Sequence, residues 1–328
     1  MTIVLGIEST AHTFGVSVVR DGKILSNIKD SYTTADGEGG MIPLEVREHH
    51  ERISDKLFQE ALKEAKVKKE SIEAIAFSNA PGLAPCLLAG KEFVKKKAEE
   101  LKVPIVNVNH CIAHLEIGET VGAKDPVMLY ASGANTQIIA YEAGKYRVFG
   151  ETLDLGVGNF IDTVARYMGL GFPGGPKIQK LAEGGKGLID LPYSIKGMDV
   201  SFSGIQTKLK KMIDDKVNHN DLAFSLQEHV FAMLVEAAER AVAHTGKKEL
   251  LLGGGVACNS RLQEMCKIMC KERKIKYFCP DRSLLVDNAG MIAYLGWKMF
   301  KKGIFVKDLS KFDINPRERT DEVNVTWK

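Results

Sequence analysis

The sequence predicts an α/β protein built from two similar halves, and three observations support this fold class. Near the N-terminus, three strand-like runs follow one another, and a turn of small polar residues joins the first two. The same arrangement returns after Pro126. Between and beyond these meanders, short apolar runs rich in β-branched residues alternate with amphipathic segments, which is the pattern of a sheet covered by helices. The chain is therefore interpreted as an internal duplication.

The first meander consists of strand-like runs at residues 3–7, 14–20 and 23–28. The turn between the first two runs has the sequence Glu8-Ser9-Thr10-Ala11-His12-Thr13. Its backbone N–H groups and hydroxyl groups can donate hydrogen bonds to a phosphate. The motif is weak by itself, because many hairpins have serine and threonine turns.

Helices and strands alternate through the rest of the first half. The expected segments are a polar loop at 33–40, a long helix at 43–66, a strand at 72–77, a loop rich in Gly and Pro at 79–85, a helix at 86–101 and a strand at 103–108. A glycine- and proline-rich loop between a strand and a helix fits a close-approach loop of an α/β fold.

The long helix at 43–66 combines an apolar stripe with two adjacent histidines. Ile53, Leu57 and Ala61 lie on its apolar face. Neighbouring residues point to different faces of a helix, so we expect at most one of His49 and His50 to face a cleft. The other is expected on the surface.

A second histidine pair follows the strand at 103–108. If a helix begins near Asn109, His110 and His114 lie one turn apart on the same face. Histidines at this spacing can present two nitrogens to zinc or iron. On the pair alone, helix capping and hydrogen bonding to neighbours is the favoured interpretation. The residues between the histidines supply no general base, so no HExxH motif is present.

The second half repeats the meander and predicts the architecture. Strands are expected at 127–131, 137–141 and 145–152, with a small polar turn at 132–136. Two such turns facing each other across a cleft are how the actin, sugar kinase and heat-shock ATPase superfamily grips nucleotide phosphates. The duplicated meanders resemble that superfamily, and the resemblance implies an actin-like, duplicated two-domain fold with a nucleotide cleft between the domains. The expected domains are residues 1–124 and 125–300, with 301–328 packing back on the first.

The remainder of the second half contains two glycine-rich loops. The expected segments are a helix at 158–168 that carries Asp162, a sharp glycine loop at 171–176 before another helix, a hairpin-like region at 184–203, a long helix at 221–244, a strand at 275–279 and an apolar helix at 291–300. A buried strand at 250–252, three glycines and a helix start near Asn259 predict a generic nucleotide-binding loop. Asp287 precedes the apolar helix, either as its cap or as a hard metal ligand.

Composition restricts the class of protein. The chain has 328 residues, of which 45% are hydrophobic and 27% charged, and a net charge of +3, which permits a nucleic acid partner without demanding one. The six cysteines form no CxxC pair and suit reduced thiols. We expect no signal peptide, no membrane segment and a cytoplasmic location.

Taken together, the motifs resemble the universal tRNA N6-threonylcarbamoyladenosine transferase family, in particular the archaeal and eukaryotic catalytic subunit of the KEOPS complex. The resemblance covers nearly the whole chain in order. The segments that carry it are residues 6–13, 109–114, 132–137, 149–154, 171–177, 196–199, 201–204, 254–257 and 287–288.

The resemblance implies a fold, a metal and a nucleotide site. The fold would be actin-like. His110, His114 and Asp287 would hold one iron or zinc ion, with Tyr130 as a further candidate ligand. His12 and Glu8 are the candidate catalytic residues. The positions expected to contact ATP, AMP or threonylcarbamoyl-AMP are Tyr130, Ala131, Ser132, Gly133, Ala134, Asp162, Gly175, Gln179, Gly254, Gly255 and Asn259.

The reaction implied by the resemblance is an acyl transfer to tRNA. The threonylcarbamoyl group would pass from threonylcarbamoyl-AMP to N6 of the adenosine on the 3′ side of the anticodon, position 37, in tRNAs that read codons beginning with A. Implied partners are tRNA, a small atypical protein kinase, a dimerising small subunit and a further small subunit, with a separate synthase making the adenylate. The chain contains no kinase domain, so the kinase is expected to be a separate protein.

Several positions depart from the family pattern and keep an alternative open. Ala134 and Ala289 stand where glycines are usual, Gln179 where a glutamate is usual, and Leu88 where an arginine is usual. The loop at 79–85 is also less rich in glycine. These changes favour a catalytically weakened, nucleotide-binding scaffold subunit of the same complex. A small-molecule kinase of the superfamily and a metalloprotease are further alternatives, but the first turn lacks the expected kinase base and the histidine pair lacks a protease base.

Overall fold

The computed structural model describes residues 1–34 and 41–328, and two five-stranded sheets form its framework. The strands are β1 (Ile3–Glu8), β2 (Thr13–Arg20), β3 (Lys23–Ser31), β4 (Ala74–Ala80), β5 (Ile105–Asn109), β6 (Val127–Ala131), β7 (Thr136–Glu142), β8 (Lys145–Glu151), β9 (Ile195–Lys196), β10 (Asp199–Val200), β11 (Glu249–Gly253) and β12 (Lys276–Phe278). Among these described strands, the two-residue strands β9 and β10 lie outside the large sheets and pair with each other.

The two sheets have the same topology. The first has the order β3-β2-β1-β4-β5 and the second the order β8-β7-β6-β11-β12. In each, an antiparallel meander supplies three strands, and two later strands extend the sheet in parallel from the first strand of the meander. The predicted internal duplication is therefore confirmed in both strand order and strand direction.

Helices cover both sheets and also fill the space between them. They are α1 (Pro43–Ala65), α2 (Ala84–Leu101), α3 (His110–Glu116), α4 (Val157–Tyr167), α5 (Gly174–Ala182), α6 (Ser203–Asp214), α7 (His219–Thr245), α8 (Ser260–Arg273), α9 (Arg282–Leu285) and α10 (Ala289–Lys301). One apolar cluster joins β1 to β5 with α1 and α2, and another joins the second sheet with α4 to α8. A third cluster contains α3 and α10 together with residues of both sheets, so these two helices lie between the sheets.

Most predicted elements are present within one to three residues of their expected ends. The strand predicted from residue 103 begins at Ile105, directly after Pro104, which lacks the N–H that a ladder needs. Helix α6 was not predicted. The hairpin-like region expected at 184–203 is mostly irregular and contains only the short β9–β10 pair. Of the loop predicted at 33–40, residues 35–40 lie outside the described part of the chain.

The prediction that one histidine of the His49–His50 pair lies on the surface is wrong. His49 is 8% exposed and His50 is fully buried. His50 Nε2 lies 2.9 Å from the Ala11 carbonyl oxygen, and His49 Nε2 lies 3.2 Å from a carboxylate oxygen of Asp30. Both imidazoles therefore fill the space between α1 and the first meander, where each finds a polar partner.

The C-terminal residues connect both halves of the molecule. Val306 forms an antiparallel bridge with Ile105 of β5, and Phe312 is buried in the core of the first sheet. Further along, Trp327 is buried in the cluster between the sheets. The domain boundaries at 124 and 300 stay a prediction. Among the described helices, none combines the length and apolar character that spanning a bilayer requires.

Candidate active site

The two histidines of α3 occupy adjacent turns of a short buried helix. Asn109, the last residue of β5, caps α3 by accepting a hydrogen bond from the Ile112 N–H at 3.2 Å. The His110 and His114 ring centroids are 4.8 Å apart, and both residues are buried. The strand and the capped helix thus place both imidazoles on the same side of α3, as the i, i+4 spacing predicts.

Asp287 faces these histidines from the start of α10. The side chain that caps α10 is that of Asn288, which accepts from the Met291 N–H at 3.0 Å. The Asp287 carboxylate is therefore not used as a cap, and its Oδ1 lies 3.3 Å from His110 Nε2 and 3.5 Å from His114 Nε2. One ligand atom from each of the three residues lies within 4.8 Å of the other two. The structure therefore brings Asp287 together with His110 and His114, which are far from it in the sequence.

Unpaired polar atoms at this position fit a bound metal ion. His114 Nδ1 and the Tyr130 hydroxyl are buried without a hydrogen-bond partner among the described residues, and His114 Nε2 has there the long 3.5 Å contact with Asp287 Oδ1. The Tyr130 ring lies 5.0 Å from that of His114. Proteins rarely leave buried polar groups unpaired, and a bound ion is one way in which such groups are satisfied. Two imidazoles and a carboxylate match the ligand preferences of zinc and of iron(II).

Glu8 holds His110 from the side opposite Asp287. It is fully buried at the end of β1, and its Oε2 lies 2.9 Å from His110 Nδ1. Its other oxygen accepts from the Thr10 N–H at 2.8 Å and from the Thr10 hydroxyl. A carboxylate on Nδ1 fixes the tautomer that leaves Nε2 free to bind a metal. Glu8, predicted as a candidate catalytic residue, is placed behind a predicted ligand and away from solvent.

Charges inside the site perturb its titration. Burial alone would raise the pKa of Asp287, but the positive charge of His110 and the contacts with both histidines hold it well below its usual value. Burial opposes protonation of His110, yet Glu8 and Asp287 hold its pKa well above the usual range. Burial lowers the pKa of His114. Because ligands bind a metal in their deprotonated form, metal binding would release the His110 proton.

His12 lies where the first turn meets the second half. Its ring centroid is 6.0 Å from that of Phe172, in an edge-on arrangement. Asp162 on α4 accepts a hydrogen bond from the Gly174 N–H at 2.7 Å, at the start of α5. Burial raises the pKa of Asp162, and hydrogen bonds from the Gly174 and Gly175 N–H groups, with His12 nearby, oppose that shift. The structure therefore brings His12, Asp162 and the glycine loop before α5 together.

The second polar turn, residues 132–135, follows Tyr130 and Ala131 of β6. Ser132 N–H donates to the Asn135 carbonyl at 2.9 Å, and the Gly158 N–H donates to the Ser132 carbonyl at 3.0 Å. The side chain of Ala134 is exposed. Ser132, Gly133 and Ala134 are the residues of this turn that are predicted to bind phosphate.

The glycines after β11 lie against the second turn. Gly254 has φ +90°, and a Cβ there would lie 2.4 Å from the Ala131 carbonyl oxygen, so only glycine allows this approach. Gly255 is exposed, and so open to a ligand. Asn259 is engaged within the protein, because it caps α8 and donates to Gln227 Oε1 at 2.6 Å.

The remaining predicted nucleotide positions lie near these loops. Gln179 donates to the Ser260 hydroxyl at 3.1 Å, which places it beside the start of α8. Gly175 has open space where a side chain would be. Predicted residues thus gather in two groups, one at the His-His-Asp cluster and one at the loops around the second turn, α5 and α8.

Sequence reasoning named His50 and Thr10 but missed how each of them shapes the site. His50 holds the first turn through Ala11, and its position on the apolar stripe, seven residues before Leu57, was the signal for its burial. Thr10 completes the hydrogen bonding of Glu8. No pattern in the sequence indicates that Thr10 donates hydrogen bonds to the Glu8 carboxylate.

Comparisons with solved structures establish the fold. The Thermococcus kodakarensis HypF structure matches 94% of this chain and 49% of its own length, with a TM-score of 0.63 and 13% identity. Component A of the Acidaminococcus fermentans (R)-2-hydroxyglutaryl-CoA dehydratase covers 91% of this chain and 98% of its own, with a TM-score of 0.55 and 14% identity. The predicted actin-like, duplicated fold is confirmed.

Sequence comparisons establish the family. A Thermococcus sibiricus tRNA N6-adenosine threonylcarbamoyltransferase is 52% identical over 326 residues, covering 99% of this chain and all of the relative. The Xenopus laevis protein of that name is 45% identical over 336 residues, covering both chains fully. A Methanosarcina mazei protein described as a probable bifunctional tRNA threonylcarbamoyladenosine biosynthesis protein is 46% identical, and the match spans 99% of this chain and 60% of that protein.

The family model agrees with these relatives and with the motif resemblance. The model of the TsaD family, tRNA N6-adenosine threonylcarbamoyltransferase, matches residues 23–294. Relatives of that name cover the whole chain. The chain therefore belongs to the tRNA N6-adenosine threonylcarbamoyltransferase family and is an acyltransferase of tRNA.

Proposed function

We propose that this enzyme transfers the threonylcarbamoyl group from threonylcarbamoyl-AMP to N6 of adenosine 37 in tRNAs that read codons beginning with A, and releases AMP. Family membership supports the transfer to tRNA. The observation that carries the catalytic proposal is the buried His110–His114–Asp287 cluster, in which one ligand atom from each residue lies within 4.8 Å of the others. A scaffold without catalysis would have no use for such a costly group of buried polar atoms.

We assign one iron or zinc ion per subunit to His110, His114 and Asp287, with Tyr130 as a further ligand. When bound, the metal would supply a Lewis acid to polarise or orient the acyl donor. Glu8 contributes by fixing the His110 ring so that Nε2 points at Asp287. Glu8 is thus a positioning residue, and His12 becomes the better placed candidate for handling the proton that N6 loses.

The adenylate would lie along the loops that close the second half. N6 of adenine is a poor nucleophile, so catalysis depends on positioning the acyl carbon and on holding the leaving phosphate. The backbone of Ser132, Gly133 and Ala134 would hold the phosphate, and Gly254 and Gly255 would allow close approach. The other assigned contacts are Ala131, Asp162, Gly175, Gln179 and Asn259. ATP and AMP would occupy the same site.

The alternative of a weakened scaffold rests on substitutions that lie outside the metal cluster. Ala134 is exposed, so its methyl group can meet a ligand without disturbing the protein. Gln179 still donates a hydrogen bond. Ala289 is the first residue of α10 and is fully buried, next to the Asn288 cap. The metal ligands and Glu8 remain complete, which favours an active enzyme.

The proposal extends to organisation and partners. Residues 1–124 and 125–300 would form the two domains, with 301–328 returning to the first. Partners would be tRNA, a small atypical protein kinase, a dimerising small subunit and a further small subunit of a KEOPS complex. The longer Methanosarcina relative, in which a homologous chain is part of a bifunctional protein, supports a linked partner. The six free cysteines suit a cytoplasmic location.

The transfer reaction tests this proposal directly. The protein and its candidate partners are incubated with threonylcarbamoyl-AMP and tRNA, and the digested nucleosides are measured by mass spectrometry. We expect modified adenosine with the wild type and at least about 100-fold less with His114→Ala, because a metal ligand is lost. His244→Ala, at an exposed histidine of α7, is the matched control.

Two outcomes would contradict the assignment. Equal product from His114→Ala and the wild type would remove the metal centre from the mechanism. If the wild type forms no product while it binds ATP and its partners, the scaffold alternative replaces the transferase.

A further inference from the structure

We propose that the C-terminal segment, residues 304–328, positions helix α3 by holding both of its ends and thereby sets the metal affinity of the site. We name this segment the C-terminal strap. It lies beyond residue 294, where the family match ends. The inference rests on the metal centre proposed above, and it concerns residues that touch neither metal nor nucleotide.

The strap is anchored first along the edge of the first sheet. Val306 and Ile105 exchange two backbone hydrogen bonds, with N···O distances of 2.7 and 3.0 Å, so the strap pairs with the first residue of β5 through an antiparallel bridge. Asn79 then holds the following turn, since its carbonyl accepts from the Asn315 N–H at 2.9 Å and its amide donates to the Asp313 carbonyl at 3.3 Å. These contacts carry the strap to the N-terminal end of α3.

The strap's first contact with α3 is at the helix cap. The Asn109 side chain uses its oxygen to cap α3 and donates its amide N–H to Glu318 Oε2 at 2.9 Å. Glu318 therefore fixes which way the capping amide points. His110 is the next residue after Asn109, so the orientation of the cap is transmitted directly to a ligand.

The second contact is at the other end of the helix. Glu116, the last residue of α3, is 1% exposed, and its carboxylate accepts from the Trp327 indole N–H at 3.0 Å. Tyr146 of β8 and Lys298 of α10 donate to the same carboxylate. Trp327 is itself 4% exposed.

This arrangement joins the two elements that supply the ligands. Helix α3 carries His110 and His114, and α10 follows directly after Asp287 and its neighbour Asn288. The Lys298–Glu116 pair connects the two helices, and Trp327 completes the shell of donors around the buried carboxylate. A buried carboxylate is tolerated when its hydrogen-bonding capacity is filled, so loss of the Trp327 donor weakens the connection.

The length of α3 explains why outside support is needed. The helix has seven residues, and isolated helices of that length do not hold together in water. Its geometry therefore depends on contacts at its termini. A metal site tolerates little misplacement of its ligands, because affinity falls when supporting contacts around the ligands are removed.

The test compares the two tryptophans of the chain. Trp327→Phe removes the indole N–H that reaches Glu116, whereas Trp297→Phe removes an indole N–H that is buried without a partner among the described residues. Zn²⁺ affinity of the full-length protein is measured by competition with a chelator, and apo-protein melting is recorded alongside. We expect Trp327→Phe to weaken Zn²⁺ binding about 3- to 10-fold, because the lost contact lies one step further from the metal than a direct partner of a ligand, and Trp297→Phe to leave it unchanged.

A second pair of variants tests the other end of the helix. Glu318→Ala removes the acceptor for the Asn109 amide, and Lys311→Ala changes an exposed strap residue that does not contact α3. We expect a loss of Zn²⁺ affinity of about 3- to 10-fold only in the first. By reciprocity of binding, Zn²⁺ should also slow amide hydrogen exchange in residues 318–328 of the wild type.

The outcomes separate this inference from the metal centre itself. If His114→Ala abolishes Zn²⁺ binding while Trp327→Phe and Glu318→Ala bind like the wild type, the strap is merely structural and the inference is overturned. If His114→Ala keeps its Zn²⁺ affinity, the metal centre is wrong and the strap proposal falls with it. A variant that melts at a lower temperature with unchanged Zn²⁺ affinity also counts against the strap.

Discussion

The two polar turns of the duplicated halves occupy equivalent places but are held in different ways. The first turn, residues 9–12, follows β1 and is braced by side chains. Glu8 accepts from Thr10, the Ser78 hydroxyl accepts from the Ser9 N–H at 3.1 Å, and His50 contacts the Ala11 carbonyl. Because Glu8 also contacts His110, this turn is part of the framework around one of the proposed metal ligands.

The second turn, residues 132–135, follows β6 and is braced by backbone. Its hydrogen bonds join Ser132 to Asn135 and connect Ser132 and Gly133 to the first residues of α4. Among its side chains, Asn135 donates to Cys111 Sγ of α3 at 3.9 Å, and Ala134 is exposed. The comparison shows that equivalent turns of the two halves are held by different means. Side-chain hydrogen bonds brace the first turn, and backbone hydrogen bonds brace the second.

Glu8→Gln removes the carboxylate that braces the first turn and contacts His110. The side-chain oxygen of the introduced glutamine must accept from the Thr10 N–H, so its amide N–H₂ would face His110 Nδ1 and donate to it. His110 would then carry its proton on Nε2, the atom that faces Asp287. We expect Zn²⁺ affinity, measured by chelator competition, to fall about 10- to 100-fold.

Glu73→Gln provides the matched control for that variant. Glu73 is an exposed carboxylate that accepts from the Ile3 N–H at the opposite end of β1. Its substitution should leave Zn²⁺ affinity unchanged. A Glu8→Gln protein that binds Zn²⁺ as tightly as this control would show that Glu8 does not set the His110 tautomer.

His50 makes the first turn sensitive to pH. Burial lowers the pKa of His50 to about 4, whereas the unfolded chain has the ordinary value of 6.5. The folded protein favours the neutral ring. The contribution of His50 to the free energy of unfolding is therefore fully present above pH 6.5 and is lost as the pH falls toward 4. The contribution of His50 to the free energy of unfolding therefore falls by about 2 kcal/mol between roughly pH 7 and pH 5.

The measurement compares urea unfolding of the wild type and His50→Gln at several pH values. Glutamine can donate to the Ala11 carbonyl but does not titrate in this range. His49, Glu8 and His12 act on His50 and are present in both proteins, so their own titration largely cancels in the difference. On acidification, we expect the free energy of unfolding of the wild type to fall relative to that of the variant. If the two free energies change with pH in parallel, His50 does not cause the pH dependence.

Patterns repeated along the chain predicted the fold. The two meanders and the alternating helices indicated the duplication, because strand periodicity and turn residues are local properties. The i, i+4 histidines were visible for the same reason. The supports of these residues were not predictable. Asp287 precedes the cap residue Asn288 by one position, and only the backbone path decides which of the two reaches His110.

Long-range contacts explain the remaining differences between sequence and structure. Glu8 was predicted as a candidate catalytic residue, but its partner His110 is 102 positions away along the chain. Trp327 and Glu116 are 211 positions apart. No local pattern reports such pairings, so the supporting contacts of the site became visible only in three dimensions.

Gly156→Ala tests the backbone bracing of the second turn. A Cβ at Gly156 would lie 2.3 Å from the Ala134 carbonyl oxygen and 2.4 Å from that of Gly133, so the turn must move. Forcing a methyl group into a packed contact typically costs about 1–3 kcal/mol, and we expect ATP affinity measured by calorimetry to fall about tenfold. Zn²⁺ affinity should change much less, because the proposed ligands His110, His114 and Asp287 lie outside this turn.

Ala134→Gly, at the exposed tip of the same turn, is the control for Gly156→Ala. Because the Ala134 side chain is exposed, its removal leaves the packing of the turn intact, and ATP affinity should change much less than in Gly156→Ala. Equal losses of Zn²⁺ and ATP affinity in Gly156→Ala would show that the two turns are not separate supports. A large gain of ATP affinity in Ala134→Gly would mean that the Ala134 methyl group crowds the phosphate in the proposed site. The wild-type turn would then bind its ligand less closely than a glycine at this position allows.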